Sequence, residues 1–257
     1  MMRAGRPLRL ARDLVFGLGT LLIVSGSGVS SVFAAAVLSY HGFDHSGRAT
    51  SITPEAFEEQ LRFLTENGYN VVSLETIAEH LDRREPFPPK TVAIVIDDGW
   101  RTAMRGAALL EKYDLPFTLF LPMEYMDNPA SRLTLSGADI EALRTYPKAA
   151  FADHSYSHSQ KLKGPNIARG GVSRAFIEKD IARSRKRYKE LFGKDTAFFA
   201  YPFGRGAKAY AEALNKAGFV YLFTVGGTSF DETADKNAIP RLGGHALTVR
   251  QLEKLIR

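Results

Sequence analysis

From about residue 36 onward, strand-like and helix-like hydrophobic patterns alternate along the chain. A short apolar run at 36–40 reads as a strand. Thr53-Pro54-Glu55-Ala56 reads as an N-cap with proline in the first helical position, opening a helix that Asn67-Gly68 ends. Val71-Val72 is strand-like, 74–84 is helical, and 86–89 is a proline-stiffened connector. The β-rich run 91–96 has no polar alternation, as expected of a strand buried on both faces. Helices over 101–113, 137–145, 172–192, 207–217 and 248–257 then interleave with strands over 117–121, 149–153, 197–201, 220–225 and 239–242. This order predicts a parallel sheet with helices outside, either a closed barrel or an open doubly wound sheet. In both architectures function gathers at the C-terminal ends of the strands. The polar residues at those ends are Tyr40-His41, Asp97-Asp98, Asp153-His154, Tyr201-Pro202 and Arg241. They are the types from which a metal hydrolase site is assembled.

A chain of 257 residues with 45% hydrophobic residues can bury a sizeable core as one large domain or two small ones. Cysteine is absent, which excludes disulfides, a thiol nucleophile and thiolate zinc ligation. The net charge is +6, and half of it comes from Arg3, Arg6, Arg9 and Arg12 against Asp13 in the first 34 residues. The cluster Arg183, Arg185, Lys186, Arg187 and Lys189 reads as a solvated helix face, and nucleic acid is not an expected partner. The four arginines precede an apolar run at 14–24, and Val32-Phe33-Ala34 fits a small-residue cleavage site. Residues 1–34 therefore read as an export signal and 35–257 as the catalytic domain. If the signal stays uncleaved, it offers a membrane association; either way the domain is expected outside the cytoplasm, whether periplasmic, secreted or on the outer face of the membrane.

Ile96-Asp97-Asp98-Gly99 places two carboxylates directly after a buried strand, costly unless something positive sits beside them. One can ligate a metal while the other takes a proton from water; the alternative is an ordinary Asp-Gly turn. Asp153-His154-Ser155-Tyr156-Ser157-His158 also follows a strand, and its two histidines four apart can meet one ion if the segment turns helically. The alternative there is a polar surface loop. Together Asp98, His154 and His158 make a set of two histidines and one carboxylate suited to one divalent ion, zinc first, with cobalt, nickel or iron compatible with the same ligand types.

With these residues in view, the chain resembles the polysaccharide deacetylases of the NodB-homology type, carbohydrate esterase family 4, over about residues 36–257. The family's Thr-Phe-Asp-Asp-Gly motif corresponds to Val95-Ile96-Asp97-Asp98-Gly99, and its His-Ser/Thr-x-x-His motif to His154–His158. Its Arg-x-Pro-Tyr/Phe motif corresponds to Ala200-Tyr201-Pro202-Phe203. The resemblance implies an irregular (β/α)7 barrel, Asp97 as base, Asp98, His154 and His158 as metal ligands, and the Phe203 N–H at the oxyanion. Two departures stand out. The arginine that orients the base in the family is Ala200 here, and Arg241 is the candidate to replace it. The late Leu-x-His strand is missing, while the chain begins with Val37-Leu38-Ser39-Tyr40-His41. That is similar to the circularly permuted branch containing the deacetylases of poly-β-1,6-N-acetylglucosamine. His41 is then expected to protonate the leaving amine, with His45 and His245 as weaker candidates. The strand at 36–40 is expected to insert in parallel between 239–242 and Val71-Val72.

Trp100, Tyr156 and Tyr201 are candidates to contact sugar, although packing roles fit the first two equally. The function implied is removal of N-acetyl groups from N-acetylglucosamine units of an envelope or extracellular polysaccharide. Two neighbouring readings are peptidoglycan or chitin-oligomer deacetylation and O-acetyl ester hydrolysis. A reading from another class is a polysaccharide-binding protein that keeps the metal and has lost turnover, which the change at Ala200 would suit. A nucleotide-binding fold is excluded because no glycine-rich phosphate loop follows a predicted strand.

Overall fold

The computed structural model describes residues 34–128 and 131–256. Except for Ala34, the segment read as an export signal lies outside the described residues. Among the described residues no helix is long and apolar enough to cross a membrane.

The chain opens with β1 (Ala35–Tyr40), the short pair β2 (Gly42–Phe43) and β3 (Ser51–Ile52), then α1 (Pro54–Glu66), β4 (Asn70–Val72) and α2 (Leu74–Arg83). Next come β5 (Thr91–Asp97), α3 (Ala103–Lys112), β6 (Phe117–Leu121), α4 (Gly137–Arg144) and β7 (Ala149–Asp153). The second half holds α5 (Gly164–Ala168), α6 (Arg174–Phe192), β8 (Phe198–Ala200), α7 (Lys208–Lys216), β9 (Tyr221–Phe223), β10 (Leu242–Gly243) and α8 (Val249–Ile256). The helix starts follow local chemistry. Thr53 accepts from the Ala56 N–H ahead of Pro54, and Ser136 and Asp139 form a reciprocal capping box on α4.

The strands form one curled parallel sheet in the order β10-β1-β5-β6-β7-β8-β9. Parallel bridging of Ile239 to Phe223 and of Leu242 to Leu38 lets segment 239–243 span from β9 to β1. This is the barrel-type fold that the family resemblance implied, one of the two architectures the strand–helix alternation left open, and it is irregular in two places. Strands β7 and β8 pair only at Asp153 with Phe199. Pro240, which has no N–H to donate, splits the expected strand at 239–242 into a bridge and a two-residue strand.

The placement of β1 corrects one expectation. Its neighbours are β10 and β5, not β10 and Val71-Val72. The reason is length. The six-residue β1 pairs with β5 from Ala35–Thr91 to Tyr40–Ile96. The three-residue β4 fills only the early part of β5's other edge, at Thr91–Ala93, and β6 takes the later part from Val95.

Both faces of the sheet are buried. Ala36, Leu38, Tyr40, Val92, Ile94 and Ile96 pack outward against Phe57, Leu61 and Leu64 of α1, Leu110 of α3 and Leu252 of α8. Ala35, Val37, Ala93, Val95, Phe120, Ala152, Ala200 and Phe223 face inward, where Leu74, Ile77 and Leu81 of α2 cover them. Four of these inner positions are alanine, which leaves space for the phenylalanines and for one large polar side chain described below.

Candidate active site

Side-chain parity on the strands decides which polar residues meet. On β5, positions 93 and 95 face inward, so Asp97 does too, at the C-terminal end. On β1, Ala35 and Val37 face inward, so Ser39 and His41 continue the row. The register pairs Tyr40 with Ile96, which sets His41 beside Asp97 on adjacent strands. His41 Nε2 lies 3.9 Å from Asp97 Oδ2. Asp98 is aimed elsewhere because the chain turns sharply there: Asp98 and Gly99 both have left-handed backbones, with φ of 68° and 61°. Asp tolerates that region, whereas a Cβ on Gly99 would stand 2.7 Å from Met126.

Asp98, His154 and His158 come together. Asp98 Oδ1 is 3.5 Å from His154 Nε2 and 3.6 Å from His158 Nε2, and the candidate ligand atoms all lie within 4.8 Å of one another. Tetrahedral ligation at about 2.0–2.2 Å puts neighbouring ligand atoms about 3.4 Å apart, so the donor set fits one divalent ion in type and spacing. The outer contacts suit ligation as well. His154 Nδ1 lies 2.7 Å from the Ala200 carbonyl, which it satisfies as a donor, leaving Nε2 free to act as a ligand. The Trp100 indole N–H donates to Asp98 Oδ2 at 3.2 Å, opposite the oxygen that faces the histidines.

Charge is balanced around this centre. Asp97 is 2% exposed, and burial alone would push its carboxyl up. The Arg241 guanidinium outweighs that, with help from His154 and His41, and holds it below the usual carboxylate range. Arg241 itself is 1% exposed. Its Nη1 donates to Asp97 Oδ1 at 2.7 Å, its Nε to the Thr224 carbonyl at 3.0 Å, and the guanidinium lies 5.4 Å from the Phe120 ring centre. Burial likewise opposes ionisation of Asp98, but its bond to His154 and the charges of the surrounding histidines hold its carboxyl well below the usual range. His158 is pushed down to about 4, first by burial and then by His154, so it is a neutral imidazole at pH 7. Burial pulls His154 down, and the hydrogen bond to Asp98 with the nearby carboxylate charges raises it overall.

The remaining sequence candidates divide. Phe203 sits at the site with a left-handed backbone, φ 61°, its ring 4.7 Å from that of His158. Tyr156 is half-buried, with the Arg183 guanidinium 3.8 Å over its ring, so one face is already taken. Tyr201 corrects the expectation of a sugar contact. It is 1% exposed, its ring packs among Phe199 and Tyr210, and its hydroxyl donates to the Asn237 carbonyl. Parity explains this, since Ala200 faces inward and its neighbour must face the outer helices. His45 is exposed and pairs with Glu55, away from the centre. His245 packs edge-on against His41 at 5.3 Å. Sequence reasoning missed two polar residues behind the histidine loop, Ser184 and Asp180, and gave the side chain of Asp153, named only as a strand-end residue, no separate task.

The family model for polysaccharide deacetylases matches residues 84–222, more than half of the chain. The chain belongs to the polysaccharide deacetylase family. It is 22% identical over 191 residues to YxkH of Bacillus subtilis (strain 168), covering 71% of this chain and 61% of that protein. To the poly-beta-1,6-N-acetyl-D-glucosamine N-deacetylase of Staphylococcus aureus (strain MRSA252) it is 24% identical over 195 residues, covering 75% of this chain and 67% of the relative. The chain thus spans about two thirds or less of the length of these relatives. Among solved structures, IcaB from Ammonifex degensii superposes with a TM-score of 0.76 at 24% identity, covering 87% of this chain and 97% of that one. At that identity the superposition establishes the shared fold, with its curled parallel sheet and helices.

Proposed function

We propose that this protein is an exported, metal-dependent N-deacetylase of a polysaccharide containing N-acetylglucosamine, with poly-β-1,6-N-acetylglucosamine as the preferred class of polymer. The observation that carries the reading is one arrangement. Asp98 faces two imidazoles at ligand spacing, while the adjacent Asp97 is turned away onto a buried arginine and a histidine. Two neighbouring carboxylates thereby have separate tasks. Family membership supplies the reaction class, and the name of the Staphylococcus aureus relative supports the choice of polymer. The arginine-rich and apolar N-terminal sequence supports export.

Asp98, His154 and His158 would hold the ion, with zinc the best fit to a two-histidine, one-carboxylate set. When bound, such an ion supplies Lewis acidity to an acetyl carbonyl and lowers the pKa of water beside it. Asp97 takes the proton from the attacking water, and Arg241 fixes the carboxylate's direction and keeps it ionised for that step. The Phe203 N–H is assigned to the developing oxyanion. His41, beside Asp97 and 17% exposed, gives a proton to the departing amine nitrogen. Arg241 reaches the base from segment 239–243, so it takes over the task that Ala200 cannot perform. This is why turnover is favoured here over a binding-only protein. The test is acetate release from a panel of purified poly-β-1,6-N-acetylglucosamine, chitin oligomers, peptidoglycan and O-acetylated xylan, with and without a chelator. Metal-dependent release that is fastest on the first supports the proposal. Metal binding with no release from any substrate would refute it.

A further inference from the structure

Between the two histidines of the candidate metal centre the chain makes an unusual loop. Ser155 and His158 both have left-handed backbones, with φ of 73° and 43°. Positive φ is uncommon for any residue but glycine, and two such residues within four need support from the groups around the loop. Its four consecutive backbone N–H groups all end on side-chain oxygens. Ser155 N–H donates to Asp153 Oδ1 at 2.8 Å and His158 N–H to Ser155 Oγ at 3.0 Å. Between them, Tyr156 N–H donates to Asp180 Oδ2 at 3.0 Å and Ser157 N–H to Asp180 Oδ1 at 3.1 Å. Asp180 Oδ1 also accepts from the Ser157 hydroxyl at 2.6 Å, and Ser184 donates to Asp153 Oδ1 at the same distance.

Asp180 and Ser184 lie on α6, one turn apart, 5% and 0% exposed. That helix is anchored above and below them by Ile177, Ile181, Tyr188 and Phe192, all buried. The carboxylate of Asp180 is therefore a fixed point in the outer layer, and the loop between the ligands is hung on it. A carboxylate is acceptor-only and can take all three donors; an amide in its place has one oxygen and would turn an NH2 toward a backbone N–H.

We propose that Asp180 is a positioning residue for the metal centre, fixing the backbone of residues 155–158 so that His154 and His158 meet Asp98. This rests on reading Asp98, His154 and His158 as the ligands. The test compares the full chain with Asp180→Asn, using Tyr188→Phe as a control. Tyr188 lies on the same helix, and its hydroxyl donates to the Phe151 carbonyl of β7, the strand that leads into the loop, rather than to the loop itself. The readouts are the zinc dissociation constant, by competition with a chromophoric chelator, and the visible absorption of the cobalt-substituted protein. Asp180→Asn is expected to weaken zinc roughly 10-fold or more and to change the cobalt bands, as loss of a group supporting a ligand does. Tyr188→Phe is expected to lower Tm with both readouts unchanged. If Asp180→Asn does not fold, Ser157→Ala removes only the hydroxyl bond and is expected to weaken zinc roughly 2- to 10-fold. Wild-type affinity and spectrum in Asp180→Asn, or in Ser157→Ala where that replaces it, would overturn the inference alone. A wild-type protein that binds neither zinc nor cobalt would overturn the ligand reading, and this inference with it.

Discussion

Removing the charge of Arg241 is the sharpest perturbation the site offers. Its guanidinium and the Asp97 carboxylate form a fully buried pair at 2.7 Å. Two unit charges about 4 Å apart interact by about 4 kcal/mol at an effective dielectric of about 20. A bound divalent ion would add positive charge nearby and share in keeping the carboxylate ionised, so the effect of losing Arg241 is smaller in the loaded enzyme. The direction follows from the chemistry. Arg241 favours the ionised carboxylate, so its loss raises the Asp97 pKa, and the role of base proposed for Asp97 requires the ionised form. In Arg241→Met the acid limb of the kcat/KM profile should therefore move to higher pH, with activity lost first in acid. Leaving Asp97 buried and unpaired also costs about 3–5 kcal/mol of stability, so folding must be confirmed by circular dichroism before kinetics. Arg241→Lys keeps the charge but cannot hold the Thr224 carbonyl and Asp97 in one planar fork. It should leave the acid limb near that of wild type and lower kcat roughly 10- to 100-fold through misdirection of the base. A folded, metal-loaded Arg241→Met protein with an unmoved acid limb would refute the claim that this arginine holds the charge of the base.

Asp97→Asn should keep metal affinity and lose roughly 10²-fold or more in kcat, measured by acetate release in protein of verified metal content. His41→Ala should lower kcat roughly 10²-fold with metal affinity nearly unchanged; abolished metal binding in the same titration would make His41 a ligand instead. Adding zinc at about 100 times its dissociation constant to chelator-stripped protein should stabilise the fold by about 2.7 kcal/mol, raising Tm by about 5–10 °C in a thermal-shift assay. His154→Ala should abolish that response while leaving the Tm of the stripped protein within a few degrees of wild type, or the three-residue site is wrong.

Much of this was legible because strands obey simple parity. The runs at 91–96, 117–121 and 149–153 end where the structure ends them or within a residue. A period of two then sends Asp97 to the inner face, in line with Val95, and Asp153 to the outer one, opposite Ala152. What parity could not supply was the order of strands. The sequence shows that β1 is apolar and parallel-compatible, but not that a three-residue β4 would leave a whole edge of β5 to it. Tyr201 departs from expectation for a related reason: a motif match fixes a position along the chain and says nothing of which face position 201 occupies.

The loop behind the histidines was missed for a different physical reason, and the signal was present. The solvated face expected of the helix at 172–192 holds for the exposed Lys186 and Lys189. Its other face carries Ile177, Ile181, Tyr188 and Phe192 at helical spacing, and Asp180 and Ser184 fall within that same stripe. An aspartate at a core position is expensive unless its oxygens are occupied, so its presence in an apolar stripe demands donors from whatever packs there. The element packed there is β7 and its following loop, where the N–H groups of Tyr156 and Ser157 and the Ser157 hydroxyl provide those donors. The same cost argument that singles out Asp97-Asp98 after a buried strand applies to a buried aspartate in a helix. In both places the compensating partner lies on another element, Arg241 for the first and the histidine loop for the second. A polar residue on a core stripe therefore points toward the part of the chain whose backbone it must satisfy, and here that part holds two of the three candidate ligands.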